Sequence, residues 1–342
     1  MDLSTGWHRT ELSGAAPVRL LSDVIAFRGT FLASGLIGEP RQGPIVLEST
    51  DGLDWTPESI SSDLSGYPSS LTPIGDRVIG VGAVETGRCA HPFAIDTWVS
   101  DTGGSWTEAP WSDHFCAGLE WASVVSSGDR IQLIGTGSGD QPLSWISQDG
   151  LTWTDERPDL AEFLGRSAMA DADGALVLGT DPTGTAGMRR TVDGRHFASV
   201  PFPPVDRAAF PVALLGLNGA ATAFVVTGRG DLVVVRRDPT GSWISVPAIG
   251  LRGELVTRIE AASGGVIAFG ADDTSTPLAW RSADGVTWQP IVLPDAHPGI
   301  AVSAVAMGGG TAVLVGATDS PDGLRTFGTI WTGPASLLGL PG

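Results

Sequence analysis

The residues best suited to chemistry fall in two short segments, Cys89-Ala-His91 and His114-Phe-Cys116, which hold both cysteines of the chain and two of its five histidines. Three readings are open. A Cys89–Cys116 disulfide would close a loop with 26 residues between the cysteines (90 to 115). That would contribute about 3 kcal/mol and imply an oxidising compartment. In extended segments residues i and i+2 project to the same side, so Cys89, His91, His114 and Cys116 could instead form a tetrahedral zinc site. Both cysteines could also stand unpaired beside solvated histidines. The disulfide is the favoured reading.

For catalysis the candidates are Asp113, His114, His91, Glu120, Arg166, Asp206, Arg207 and His297. A histidine beside an acid can act as a general base, and an arginine can hold a carboxylate or an oxyanion. Surface loops of an acidic chain supply such residues by chance as well. His8 and His196 lie beside repeat aromatics, where a structural role on outer strands is expected. The acidic pairs Asp272-Asp273 and Asp319–Asp322 could bind calcium, although neither has the regular ligand spacing of a dedicated loop. No resident cofactor is expected, with zinc or calcium as the alternative.

A repeated unit must position these side chains. Ser49-Thr-Asp-Gly-Leu-Asp-Trp55, Ser147-Gln-Asp-Gly-Leu-Thr-Trp153 and Ser282-Ala-Asp-Gly-Val-Thr-Trp288 share the pattern Ser-x-Asp-Gly-x-x-Trp. Looser copies are Ser100-Asp-Thr-Gly-Gly-Ser-Trp106, Thr191-Val-Asp-Gly-Arg-His-Phe197 and Asp238-Pro-Thr-Gly-Ser-Trp243, with a fragment at Ser4-Thr-Gly-Trp7. The final aromatics stand at 7, 55, 106, 153, 197, 243 and 288. This even period is the mark of a repeat architecture and overrides the two-domain prior set by length.

Each unit reads as four short strands. The β-branched, glycine-punctuated run Val78 to Val84 has counterparts in every unit, and third strands carry Trp98, Trp145, Trp280 and Trp331. The Asp-Gly pair is expected to join strands three and four in a tight hairpin, because both residues tolerate positive φ. A sheet with two apolar faces is not stable alone, whereas a ring of such sheets buries both. The last unit ends at Trp331 without its Asp-Gly segment, and the N-terminal Trp7–Leu12 supplies the missing strand. The expected fold is therefore all-β, a seven-bladed β-propeller of four antiparallel strands per blade. The N-terminal strand completes the last blade and closes the ring. The chain 1–342 is read as one domain, with blades near 14–58, 69–110, 117–157, 165–201, 211–247, 255–292 and 300–334, the last closed by 4–12.

The hairpins resemble the Asp-box, or BNR, repeat of sialidase-like propellers, with one residue fewer between Asp and Gly than the usual box. The resemblance implies that Asp51, Asp149, Asp193 and Asp284 form turns, that the aromatic packs between sheets, and that the boxes face away from any active site. It does not extend to sialidase chemistry. The chain has no Arg-Ile-Pro signature, seven blades instead of six, and one tyrosine, Tyr67.

A site is then expected on the opposite face, in the loops joining strands two to three and blade to blade. Those loops carry Tyr67, Phe93, Trp111, Phe115, Phe163, Phe202 and Phe210, of which Tyr67, Trp111, Phe115 and Phe163 are the ligand-binding candidates. A short helix is expected near Asp159-Leu-Ala-Glu162, which has capping-box spacing.

Composition limits the partners. Asp+Glu number 38 against Lys+Arg 20, all arginine, for a net charge of −18. That balance disfavours phosphate backbones, so nucleic acid is not expected. No apolar run is long enough for a helical membrane span. A monomer binding a glycan, small molecule or protein is expected. The function expected is non-catalytic recognition of a glycan, peptide or protein on the loop face. The alternative is a glycoside hydrolase-like or lyase enzyme with its pocket at the channel mouth. An extracellular or cell-envelope location fits if a leader has been removed, and a cytoplasmic location is the alternative.

Overall fold

The structure, a computed structural model, describes residues 6–340 except 13–16, 39–42, 59, 61–64, 86–92, 111–115, 117–118, 128–129, 161–162, 206–207, 239 and 321–324. Its strands form seven four-stranded antiparallel sheets. After β1 (His8–Glu11), blade 1 comprises β2 (Val18–Phe27), β3 (Thr30–Ile37), β4 (Gly43–Ser49) and β5 (Thr56–Glu58). Blade 2 has β6 (Ser65–Ile74), β7 (Arg77–Glu85), β8 (Phe93–Ser100) and β9 (Thr107–Glu108), and blade 3 has β10 (Leu119–Ser127), β11 (Arg130–Gly137), β12 (Gln141–Ser147) and β13 (Thr154–Asp155). Blade 4 has β14 (Leu164–Asp171), β15 (Gly174–Thr180), β16 (Ala186–Thr191) and β17 (Ala198–Val200). Blade 5 has β18 (Phe210–Leu217), β19 (Ala220–Val226), β20 (Leu232–Arg237) and β21 (Trp243–Pro247). Blade 6 has β22 (Val256–Ala262), β23 (Gly265–Ala271), β24 (Pro277–Ser282) and β25 (Gln289–Ile291). Blade 7 has β26 (Ile300–Gly308), β27 (Thr311–Asp319) and β28 (Thr326–Pro334), and β1 is its fourth strand. The register of that closure runs from His8 opposite Thr332 to Glu11 opposite Thr329. The chain is a seven-bladed β-propeller.

Seven clusters of buried apolar side chains fill the seven blade interfaces, including one that joins Val18, Leu21 and Val24 of blade 1 to Val313, Val315 and Ile330 of blade 7. Both faces of each sheet are thereby removed from water, which is why the strand centres read as near-continuous apolar runs. Every inner strand carries a β-bulge in its first half, at Ser22, Ser69, Glu120, Arg166, Val212, Thr257 and Ser303. The bulge pushes an inner-strand carbonyl toward the second strand. Gly35, Gly135, Gly179, Gly270 and Gly316 lie there, each where a Cβ would collide with that carbonyl. The glycines that punctuate the second strands thus have a steric cause.

The repeat turns differ from the tight hairpin expected of Asp-Gly. In the first copy only Gly52 has positive φ, at 78°. Ser49 Oγ accepts the Gly52 amide at 2.8 Å, and Asp51 Oδ1 accepts the Leu53 and Asp54 amides at 2.8 and 3.1 Å. The indole N–H of Trp55 then donates back to the Gly52 carbonyl at 2.9 Å. The same bonds recur at Ser147, Asp149 and Trp153, and Asp284 and Trp288 repeat the aspartate and indole parts. The aspartate therefore works as an acceptor for two amides, and a six-residue loop replaces the two-residue turn. The Leu53 and Asp54 amides hold Asp51 below its ordinary carboxylate value, and the Thr152 amide does the same for Asp149.

Two further expectations are corrected. Asp238-Pro-Thr-Gly-Ser242 is not a copy of the repeat turn. Asp238 Oδ1 accepts from the Thr240 amide, the Thr240 hydroxyl and the Ser242 amide, as Asp181 and Asp272 do for their own Thr-x-Thr segments. No helix forms at the described residues around Asp159, whose carboxylate instead accepts the Phe197 amide at 2.8 Å; Glu162 lies outside the described residues.

Candidate functional site

Inner strands begin on the face opposite the repeat turns, so the bulge residues Glu120 and Arg166 stand near the channel mouth on the loop side. Glu120 is exposed. Arg166 is half-buried, with its guanidinium carbon 5.8 Å from the ring centroid of Phe210, the first residue of β18. Phe210 is 52% exposed, a large apolar ring left in water under a cation. His297 lies in the connection into blade 7, exposed, its Nδ1 2.7 Å from the Pro298 carbonyl. No hydrogen bond or ion pair joins Glu120, Arg166 and His297 to one another. The structure therefore places the three on one face without assembling them.

Phe163 does not belong to the rim. It is 3% exposed, packed in the interface of blades 3 and 4, with Arg189 stacked 4.8 Å from its ring centroid. Burial of a large ring outweighs display, so it is removed from the ligand-binding candidates. His196 is in a repeat turn, not on an outer strand. Its Nδ1 meets Asp193 Oδ2 at 2.7 Å, which raises the imidazole above its ordinary value.

His91, Trp111, Asp113, His114, Phe115, Asp206, Arg207 and Cys89 lie outside the described residues, and the side chain of Tyr67 does too. Of the proposed zinc set only Cys116 is described; it is half-buried and not a free thiol. Among the described residues no three His, Cys, Asp or Glu side chains converge as metal ligands.

Sequence reasoning missed the polar cluster inside the channel. Asp23, Arg258 and Glu260 project from inner strands into a cavity of about 480 Å³. Arg258 reaches from blade 6 to blade 1, where Nη1 donates to the Ser22 carbonyl at 3.3 Å and Nη2 lies 3.5 Å from Asp23 Oδ1. Its Nε is 2.5 Å from Glu260 Oε1. The remaining oxygens cap edge amides of the next blade: Asp23 Oδ2 takes Leu71 N–H at 2.7 Å, and Glu260 Oε2 takes Val305 N–H at 2.8 Å. Burial raises both carboxyls against the pull of Arg258, Glu260 to about 7. Every carboxylate oxygen here has a partner, so the cluster ties blades together. A charged residue on alternate positions of an otherwise apolar strand, as in Arg258-Ile-Glu260, was the available signal.

A second buried acid stands in blade 2. Asp96, on β8, is 3% exposed. Burial and the neighbouring Glu108 carboxyl push it up to about 8.

No family model and no curated protein matches the chain. Solved structures do. The sialidase of Trypanosoma rangeli bound to the inhibitor DANA aligns at 11% identity and TM-score 0.53, over 98% of this chain and 61% of that one. The endosialidase of phage phi92 aligns at 10% identity and TM-score 0.52, over 96% of this chain and 69% of that one. The Aleuria aurantia lectin AAL, solved as a point mutant with Fucα1-6GlcNAc, aligns at 12% identity and TM-score 0.51, over 82% of this chain and 97% of that one. The chain spans about three fifths of the trypanosomal sialidase. At these identities the likeness is one of fold, and the chain belongs with the β-propellers.

Proposed function

We propose that this chain is a non-catalytic recognition propeller that binds a glycan, peptide or protein partner at the channel mouth opposite the repeat turns, with a glycan as the favoured ligand. The observation carrying the reading is the Arg166–Phe210 pair. An aromatic ring 52% exposed beneath a guanidinium offers a stacking face and directional donors together. Propellers of this fold described as a lectin and as sialidases support carbohydrate as the ligand class. The hydrolase alternative needs two free carboxyls facing each other. Among the described residues the channel carboxyls of Asp23 and Glu260 are tied to amides and to Arg258. The reading takes the protein as a monomer without a resident metal, exported to the envelope or beyond, with Cys89 bonded to Cys116. The loop turns named for the Asp-box stay a resemblance within it.

The test is a glycan and peptide array probed with wild type, Phe210→Ala and Arg166→Ala, beside a hydrolysis assay on the ligands that bind. Specific binding that weakens at least tenfold in both variants, without turnover, is the expected result. Turnover of a bound glycan, or binding indifferent to both substitutions, would overturn the reading.

A further inference from the structure

The seven blades are not equivalent at the repeat-turn face. In five of them the turn glycine docks on the preceding blade. A Cβ built on Gly52, Gly103, Gly150, Gly194 or Gly285 would lie 2.9 to 3.1 Å from Val313, Leu32, Ile79, Ser144 or Leu217. Gly241 of blade 5 has nothing within 4 Å of that position. The Asp238 hairpin is the reason. By folding on its own Asp-x-Thr-x-Ser bonds it puts Trp243 at the head of β21, opposite Arg237, and the indole does not fold back over the turn. Trp106, Trp153 and Trp288 are 3 to 9% exposed, whereas Trp243 is half-buried, as is Trp55, and only Trp55 of these two bonds back to its turn glycine.

The space left open is a cleft of about 630 Å³ between blades 4 and 5, lined by Trp243, Phe202, Arg190, Arg237 and the exposed strand β17. Arg237 lies 5.3 Å from the Trp243 ring centroid. Arg190 is fixed by ion pairs to Asp171 and, at 3.3 Å, to Asp173, and its buried Nε has no partner. Asp171 and Asp173 thus offset the charge of Arg190 from outside the cleft lining, which itself holds two arginines and no carboxylate. With Arg190 neutralised by its aspartates and Arg237 laid on the Trp243 ring, no pair of free cations is aimed at an anion, and a lining without carboxylates has nothing to draw a cation. It offers guanidinium donors and the hydroxyls of Ser199 and Ser242 next to two aromatic rings, within the size range of small-ligand sites.

We infer that this cleft is a second ligand site, for a neutral pyranose sugar. The sugar's C–H face lies on Trp243, and its hydroxyls pair with the guanidinium of Arg190 and the hydroxyls of Ser199 and Ser242. This site is on the outer wall of the ring, between the outermost strands of blades 4 and 5, and is separate from the channel mouth.

The experiment is titration calorimetry of the full chain with methyl glycosides of neutral hexoses, N-acetylhexosamines and deoxyhexoses, with sialic acid as the anionic comparator. Trp243→Ala removes the platform. Ser199→Tyr, on the exposed strand β17, fills the cleft without touching the blade core and keeps the test valid should Trp243→Ala fail to fold. In a Phe210→Ala background, which removes the channel-mouth platform, saturable binding of at least one neutral glycoside is expected, weakened at least tenfold by adding either cleft substitution. The inference is overturned if no neutral glycoside binds or if only sialic acid does. It is also overturned if, in that Phe210→Ala background, no glycoside binding remains or the binding survives Ser199→Tyr.

Discussion

Asp23 of blade 1 accepts the amide of Leu71 of blade 2 at 2.7 Å, across an interface whose two strands share no ladder. Inner strands are sheet edges, and their outward amides have no strand beside them. Ser167 does the same for Leu214 at 2.9 Å, and Glu260 for Val305 at 2.8 Å. In each case the amide lies two residues past the bulge of its own strand. The ring is therefore held by side chains that substitute for missing strand partners, as well as by apolar packing.

Removing such a tie strands a buried amide. Asp23→Ala is expected to destabilise by about 2–4 kcal/mol, because it also leaves Arg258 short of a counterion. Ser167→Ala, which removes only a hydroxyl, is expected to cost about 1 kcal/mol. Urea unfolding of the two variants side by side checks this, and equal effects would refute the electrostatic part.

Stability should fall as pH rises toward alkaline values. Glu260 is raised from 4.5 to about 7 and Asp96 from 3.8 to about 8, so the folded chain binds more protons than the unfolded one between those limits. Proton release across that window then lowers the unfolding free energy, together by on the order of several kcal/mol. The repeat-turn aspartates are lowered and act oppositely, but only in acid below their ordinary value. Unfolding at pH 5.5 and pH 9 should give the higher stability at 5.5, and the double variant Glu260→Gln, Asp96→Asn should flatten the slope. A stability that rises with pH in wild type would contradict the assignment.

The period and the closure were legible because each rests on a local signal. The Ser-x-Asp-Gly-x-x-Trp turn is bonded within seven residues, and the unpaired end of β28 announces the need for β1. The blade 5 hairpin was misread because Asp238 stands three residues before its glycine, not one, and Asx bonding to Thr240 and Ser242 then outcompetes the repeat turn. The channel cluster was not legible. Asp23 is 235 residues from Arg258 across the ring, and their meeting depends on the bulge register of two inner strands.

Glycine substitution should separate the docked turns from the open one. Gly150 has φ of 78°, and an added Cβ would meet Ile79 and Val99 at 2.9 Å. Gly150→Ala should cost about 2–4 kcal/mol from backbone strain plus overpacking. Gly241, at φ of 85° with open space, bears the backbone part alone, and Gly241→Ala should cost about 1–2 kcal/mol. Thermal melts of both variants read the difference. Equal losses would mean that the blade 5 turn is packed like the others.

The cysteine pair decides compartment and loop anchoring together. Cys116 is half-buried and not a free thiol, and Cys89 is the only other cysteine in the chain. The bond we propose between them closes a loop of 26 intervening residues. Its reduction should therefore lower stability by about 3 kcal/mol through the added freedom of the unfolded chain. Thiol titration of the denatured, unreduced protein should find none, and Cys89→Ser should reproduce the loss of stability seen on reduction. Two titratable thiols with stoichiometric zinc would replace the disulfide by the Cys89, His91, His114, Cys116 site. Two thiols without metal would defeat both and remove the chief support for export, since only an oxidising compartment preserves such a bond.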